Sequence, residues 1–128
     1  MKTLLVTGAS RGVGFEICNQ AASAGNMVIA LSRNITSLEG IKNIYPFAVD
    51  LSKGSALEDF VKQIKNSFRS IDVLINNAGN LLNKPFLETS SSEFEEVYKV
   101  NVFGAATLTR LLLPIISSNG HVLNITSM

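Results

Sequence analysis

The chain has 128 residues, which predicts one domain with a sizeable buried core. Its 46% of apolar and 16% of charged residues exclude a disordered chain, and its net charge of +1 gives no basis for nucleic acid or a membrane as main partner. Because Cys18 is the single cysteine, an intrachain disulfide framework is excluded. No apolar run is long enough for a signal core or a bilayer span, so we expect a cytoplasmic location.

Five short apolar runs predict the strands of one sheet. Most are continuous rather than alternating in polarity, as is typical of parallel strands that helices cover on both faces. The predicted strands are Leu4–Thr7, Met27–Leu31, Ile44–Val49, Val73–Ile75 and Val122–Ile125.

Helical periodicity separates these runs. The first predicted helix, residues 13–24, places Val13, Ile17, Ala21 and Ala24 on one stripe. The second, residues 57–68, does the same with Leu57, Val61, Ile64 and Phe68. A short turn or partial helix is predicted at 34–40, and the longest helix at 94–116, with Ser91 or Ser92 as its cap.

Strands that alternate with helices through right-handed crossovers predict an α/β fold. We expect a Rossmann-like, doubly wound parallel sheet in three layers, α/β/α, forming a single domain over residues 1–128.

The first predicted strand leads directly into "TGASRGVGFEI", whose glycines have the chemistry of a phosphate cradle. Gly8 permits a tight turn, Gly12 lets the backbone approach an anion, and Gly14 lets the helix pack on the strand. Free N–H groups and the helix dipole then favour a pyrophosphate at the helix start. A purely structural glycine turn is the alternative.

The turn resembles the T-G-x-x-x-G-x-G motif of the short-chain dehydrogenase/reductase family. Three further stretches follow in the family's order: "NNAG" at 76–79, "VNVFGA" at 100–105 and "LNITS" at 123–127. The likeness covers essentially all of the chain. It implies an oxidoreductase that transfers a hydride between a nicotinamide and a small carbonyl or alcohol substrate.

The turn and the resemblance together predict a nicotinamide cofactor site. In the family, the position of Asp50 accepts a hydrogen bond from the adenine amino group; the alternative is a capping or turn role. The predicted cofactor residues are Gly8, Ser10, Arg11, Gly12, Val13, Gly14, Ser32, Arg33, Asp50, Leu51, Asn77, Ala78 and Gly79.

The end of the second strand, "VIALSRN", bears on which cofactor is chosen. Folds selective for NAD usually place Asp or Glu here, whereas this chain has Ser32 and Arg33 and no acid between Glu16 and Glu39. A guanidinium can bind a 2′-phosphate with two hydrogen bonds, and Arg11 adds a second positive charge. We therefore predict that NADP(H) is preferred over NAD(H), the alternative being two ordinary solvated arginines.

Two catalytic residues are implied by the resemblance. Ser127 matches the family's catalytic serine, whose hydroxyl bonds the substrate carbonyl. Asn101 matches an asparagine that opens a backbone carbonyl to hold a water in a proton relay. Asn101 is also a poor helix former, so its amide could compete with the helical hydrogen bonds and bend the helix. The alternatives are a buried structural asparagine and a plain strand-end serine.

The family's Tyr-x-x-x-Lys acid–base pair has no match here. Tyr45 is followed four residues later by Val49, and Tyr98 by Val102. The fifth strand would be an apolar edge, and the helix 94–116 is apolar on more than one face. We therefore expect a sheet truncated after the fifth strand.

In the family the long helix helps to form a dimer, so we expect a homo-oligomer through residues 94–116. The alternative to an enzyme is a non-catalytic NADP(H)-binding module or an inactive fragment. No metal-ligand spacing occurs.

Overall fold

Five parallel strands form one sheet in a computed structural model that describes residues 1–126. The strands are β1 (Thr3–Thr7), β2 (Met27–Ser32), β3 (Ile44–Ala48), β4 (Ile71–Asn76) and β5 (Ile116–Asn124), and their order in the sheet is β3-β2-β1-β4-β5. Because β1 pairs with both β2 and β4, the strand order reverses direction at β1, and the Rossmann-like doubly wound sheet is confirmed.

Four α-helices connect the strands. They are α1 (Gly12–Ser23), α2 (Gly54–Ser67), α3 (Ser91–Tyr98) and α4 (Ala105–Leu112). A π-helical turn, Lys99–Gly104, joins α3 directly to α4, and short 3₁₀ turns cover Thr36–Leu38, Phe86–Glu88 and Leu113–Ile115. Within residues 1–126, no helix is both long enough and apolar enough to cross a membrane.

The sheet separates two apolar cores, which confirms the three-layer arrangement. On one face, Val6 of β1 packs with Cys18 and Ala22 of α1. On the other face, Leu5 of β1 packs against α2 and α4 through Leu57, Phe60, Val61, Ile64, Leu108 and Leu112. Successive β1 residues thus serve opposite layers, as the twofold periodicity of a strand requires.

The predicted helix 94–116 is wrong at both ends. It begins at Ser91, and its α-helical part ends at Leu112, because Pro114 cannot donate an N–H and lies in a 3₁₀ turn. The chain is already in β5 at Ile116, so the last strand starts well before the predicted Val122. The other strand limits agree with the structure to within two residues.

The predicted cap of this helix is also wrong. Ser90, not Ser91 or Ser92, caps α3: its Oγ accepts from the Glu93 N–H at 3.2 Å. The Glu93 carboxylate accepts in return from the Ser90 N–H at 3.1 Å and lies 3.0 Å from Lys84 Nζ. This capping box fixes where the helix starts.

The apolar stripe predicted for the first helix is displaced by one residue. Val13 is 62% exposed, and the buried face consists of Gly14, Cys18 and Ala22. The pattern misidentified this face because a glycine has no side chain to mark it. In α2, Leu57, Val61 and Ile64 are buried as predicted.

Candidate functional site

A cavity of about 360 Å³ lies beside the carboxyl ends of β1, β2 and β4. Ligands of open parallel sheets bind at this edge, where the strand order reverses. Most of the predicted cofactor residues line it: Gly8, Ser10, Arg11, Gly12, Ser32, Arg33, Asp50, Leu51, Asn77, Ala78 and Gly79. Val13 and Gly14 do not line it, whereas Leu31, Val49, Asn80 and Val100, which were not predicted, do.

The glycine turn has the geometry of a close backbone approach. Gly8 and Gly12 adopt φ values of +63° and +60°, which favour glycine. A Cβ on Gly8 would lie 2.8 Å from the Cα of Ala78, and one on Gly14 would collide with the Gly8 carbonyl. Nothing lies within 4 Å of a Cβ on Gly12, so the space in front of that backbone is open to a ligand.

The amino terminus of α1 opens onto this space. The helix begins at Gly12, which lines the cavity, and the N-cap residue Arg11 makes no side-chain capping bond. The first N–H groups of a helix have no partners within the helix, and its dipole makes this end positive. The arrangement therefore suits an anion.

Thr7 and Asn77 join the glycine turn to the end of β4. The Thr7 Oγ1 accepts from the N–H groups of Asn77 and Ala78, both at 2.9 Å. The Asn77 side-chain amide donates to the carbonyls of Thr7 and Gly8, both at 3.2 Å. Sequence reasoning missed Thr7, although a hydroxyl at the strand end just before a glycine turn could have indicated its role.

Three charged residues line the cavity: Arg11, Arg33 and Asp50. The Asp50 Oδ1 accepts from the Ser52 Oγ at 2.7 Å and from the Ser52 N–H at 2.9 Å. These bonds, with smaller contributions from the positive charges of Lys53 and then Arg33, hold the pKa of Asp50 below its usual value. The turn role considered for Asp50 is therefore present, on the wall of the cavity.

Asn101 lies on the exposed side of the π-helical turn, so the alternative of a buried structural asparagine is wrong. Its Oδ1 accepts from the Asn80 N–H at 2.7 Å, and its Nδ2 donates to the Asn80 carbonyl at 3.0 Å. The predicted distortion of the helix is confirmed. Its predicted cause is wrong, because the amide bonds Asn80 rather than its own helix.

The remaining candidates lie elsewhere. Ser127 is outside the described residues. Tyr45 packs edge-on against Phe68 with ring centroids 5.7 Å apart, Tyr98 is 54% exposed on α3, and neither lines the cavity. In the part of the chain that the structure describes, no three His, Cys, Asp or Glu side chains are grouped to hold a metal ion.

The sequence profile of the short chain dehydrogenase family matches residues 2–128. The chain is 36% identical to the ketoacyl reductase HetN of Nostoc, over 99% of this chain and 48% of that protein. Among solved structures, it resembles a metagenomic short-chain oxidoreductase in complex with NADP (28% identity, TM-score 0.91, 99% of this chain and 62% of that one).

A second solved structure of the same fold is 4-hydroxyisoleucine dehydrogenase complexed with NADH, at 27% identity and a TM-score of 0.89 over 99% of this chain and 56% of that one. The chain thus spans about half the length of the relatives that it matches.

Proposed function

The chain belongs to the short-chain dehydrogenase family, and from this premise we propose that it is the cofactor-binding part of an NADP(H)-dependent oxidoreductase. Its reaction is hydride transfer between the nicotinamide and a small carbonyl or alcohol substrate. The observation that carries the proposal is the cavity that brings the glycine turn, Arg11 and Arg33 together at one edge of the sheet.

The residues of the cavity fit a dinucleotide. The open backbone at Gly12 and the amino end of α1 would hold the pyrophosphate. The wall formed by Leu31 and Leu51 would contact the adenine, and the small residues Ala78 and Gly79 leave room for the ribose next to the nicotinamide. When bound, the nicotinamide supplies or accepts the hydride.

The charges of the wall support a preference for NADP(H). Arg11 and Arg33 contribute two positive charges and Asp50 one negative charge. The Asp50 carboxylate already accepts two hydrogen bonds from Ser52, so its charge is partly compensated locally. Both arginines are exposed, so their guanidiniums remain accessible to a 2′-phosphate.

Calorimetric titration with NADPH and NADH tests the cofactor preference. We expect tighter binding of NADPH, and we expect Arg33→Ala to cost about 1.5–3 kcal/mol of NADPH affinity, as charged hydrogen bonds do. The NADH affinity of the variant should stay close to that of the original chain. Arg69→Ala is a matched control, because Arg69 lines a different cavity near the amino ends of the strands. Unchanged NADPH affinity in Arg33→Ala contradicts the proposed preference.

We assign the catalytic roles to Ser127 and Asn101. Ser127 would bond the substrate carbonyl and the negative charge that develops on its oxygen during reduction. By the family resemblance, Asn101 would open a backbone carbonyl of its helix to hold a water in a proton relay. NADPH oxidation with a panel of ketones and aldehydes tests this. Ser127→Ala should lower kcat and leave NADPH affinity unchanged, and full turnover in that variant would refute the role.

The second candidate is a non-catalytic NADP(H)-binding module. It is favoured by the position of both tyrosines, since neither Tyr45 nor Tyr98 lines the cavity as a general acid would. Binding of NADPH without turnover of any carbonyl in the panel would select this candidate over the enzyme.

We also propose a cytoplasmic homo-oligomer formed through residues 94–116. Tyr98, Val102, Phe103 and Leu113 are 46–61% exposed along this stretch, which gives an apolar surface for a second copy. Light scattering on Phe103→Ser tests the surface: a mass that falls towards the monomer supports it, and an unchanged oligomer contradicts it.

A further inference from the structure

A hydrogen bond links the glycine turn to the segment that follows β2. The Ser37 hydroxyl donates to the backbone carbonyl of Ser10 at 2.7 Å. Ser10 directly precedes Arg11, and Ser37 lies in the 3₁₀ turn that follows Arg33. The bond therefore connects the two segments that carry the arginines of the cavity.

The 3₁₀ turn that carries Ser37 is itself well anchored. Leu38 is fully buried in the core on the α1 side of the sheet. The Leu38 N–H donates to the Ile35 carbonyl at 2.9 Å, and the Thr36 N–H donates to the Asn34 Oδ1 at 3.0 Å. Ser37 can consequently hold Ser10 at a fixed distance from the sheet. In a free loop, Ser37 would instead move together with Ser10 and would not restrain it.

We infer that Ser37 is a positioning residue for 2′-phosphate selectivity. It does not line the cavity, so it acts through the backbone of Ser10 and not by touching the nucleotide. Two guanidiniums bind one phosphate well only if their spacing is fixed in advance, because ordering two loose segments offsets the gain in binding. The inference rests on the proposed preference for NADP(H).

Titrations of Ser37→Ala with NADPH and NADH test this role. Loss of a neutral hydrogen bond should raise the Kd of NADPH about fivefold. The Kd of NADH should change less than about twofold, because NADH has no 2′-phosphate whose binding depends on the spacing of the two guanidiniums. Ser37→Thr keeps the hydroxyl and should retain the original ratio of the two Kd values. Ser37 is exposed, so the urea midpoint should be unchanged in both variants.

Ser67→Ala is the matched control, since the exposed Ser67 hydroxyl also donates to a backbone carbonyl, that of Gln63 at 3.4 Å. An unchanged ratio of Kd values in Ser37→Ala, or equal weakening of both nucleotides, overturns the inference while the NADP(H) preference of the original chain stands. A changed ratio in Ser37→Thr overturns it as well. If the original chain binds neither nucleotide, the proposed function falls together with the inference.

Discussion

Side-chain hydrogen bonds connect both the carboxyl end and the amino end of β4 to β1 and β5, but the groups that make these bonds differ between the two ends. At the carboxyl end they are neutral amides. The Asn77 side chain donates to the carbonyls of Thr7 and Gly8 beside β1, and the Asn76 Nδ2 donates to the Asn124 Oδ1 of β5 at 2.9 Å.

At the amino end one carboxylate makes both connections. Asp72 accepts from the Thr3 N–H of β1 at 2.8 Å through Oδ2 and from the Ser117 hydroxyl of β5 at 3.1 Å through Oδ1. The Thr3 bond and then the Ser117 bond hold the pKa of Asp72 below its ordinary value.

The contrast between the two ends of β4 indicates where this sheet tolerates a fixed charge. The neutral end faces the cavity, where a carboxylate in the place of Asn77 would repel a phosphate bound at the glycine turn. The charged end lies near the amino ends of the strands, away from the cavity. The two ends therefore predict different responses to substitution and to pH.

The largest effect is expected from Asn77→Asp, which keeps the shape of the side chain. A carboxylate would face the carbonyls of Thr7 and Gly8 with no donor between them, so we expect a loss of about 3 kcal/mol in the free energy of unfolding at neutral pH. Urea denaturation measures it. Asn83→Asp, the same change in an exposed loop, is the control and should stay within about 0.5 kcal/mol. Equal stability of the two variants would show that neutrality at position 77 is unimportant.

A smaller effect is expected from Thr7→Val, which leaves the N–H groups of Asn77 and Ala78 without their acceptor. The cost should be about 2 kcal/mol in the free energy of unfolding, since Thr7 is only 1% exposed and water cannot readily replace the hydroxyl. Thr7→Ser keeps the acceptor and should lose less than half as much. A larger loss in Thr7→Ser than in Thr7→Val would assign the effect to packing instead.

The smallest effect is expected in the dependence of stability on acidic pH, through Asp72. Because the pKa of Asp72 is lowered in the folded state, its contribution to stability is complete above the ordinary value of 3.8 and is lost as the pH falls through the folded pKa. Thermal midpoints measured from about pH 5 to about pH 2 should fall less steeply in Asp72→Asn than in the original chain. Ser117→Ala, which removes one of the two donors, should give an intermediate slope. Parallel slopes in all three proteins would rule out the linkage.

Much of the site was predictable because parallel topology brings the carboxyl ends of strands together. The glycine turn, Arg33, Asp50 and Asn77 each follow an apolar run, and the structure places all of them on one cavity. The local sequence was enough to predict these site residues, since each of them follows the end of its own predicted strand.

The rest depends on contacts between distant segments. Leu31 and Val49 also line the cavity, but in sequence they are indistinguishable from other buried strand residues. The Asn101 amide bonds Asn80, which is 21 residues away, so no local pattern could identify that partner. The apolar stripe predicted for α1 was displaced by one residue because Gly14 packs by its backbone alone, although the glycine motif had already predicted that Gly14 lies against the strand.

The π-helical turn at 99–104 has a consequence for changes in chain length. Such a turn contains one residue more than an α-helical turn of the same rise. Deleting one of residues 102–104 would restore regular α-helical hydrogen bonding but rotate Asn101 by about 100° relative to Leu108 and Leu112. The additional residue thus lets the continuous helix bond the Asn80 loop through Asn101 while Leu108 and Leu112 stay buried. The shortened helix would lose one of these two contacts.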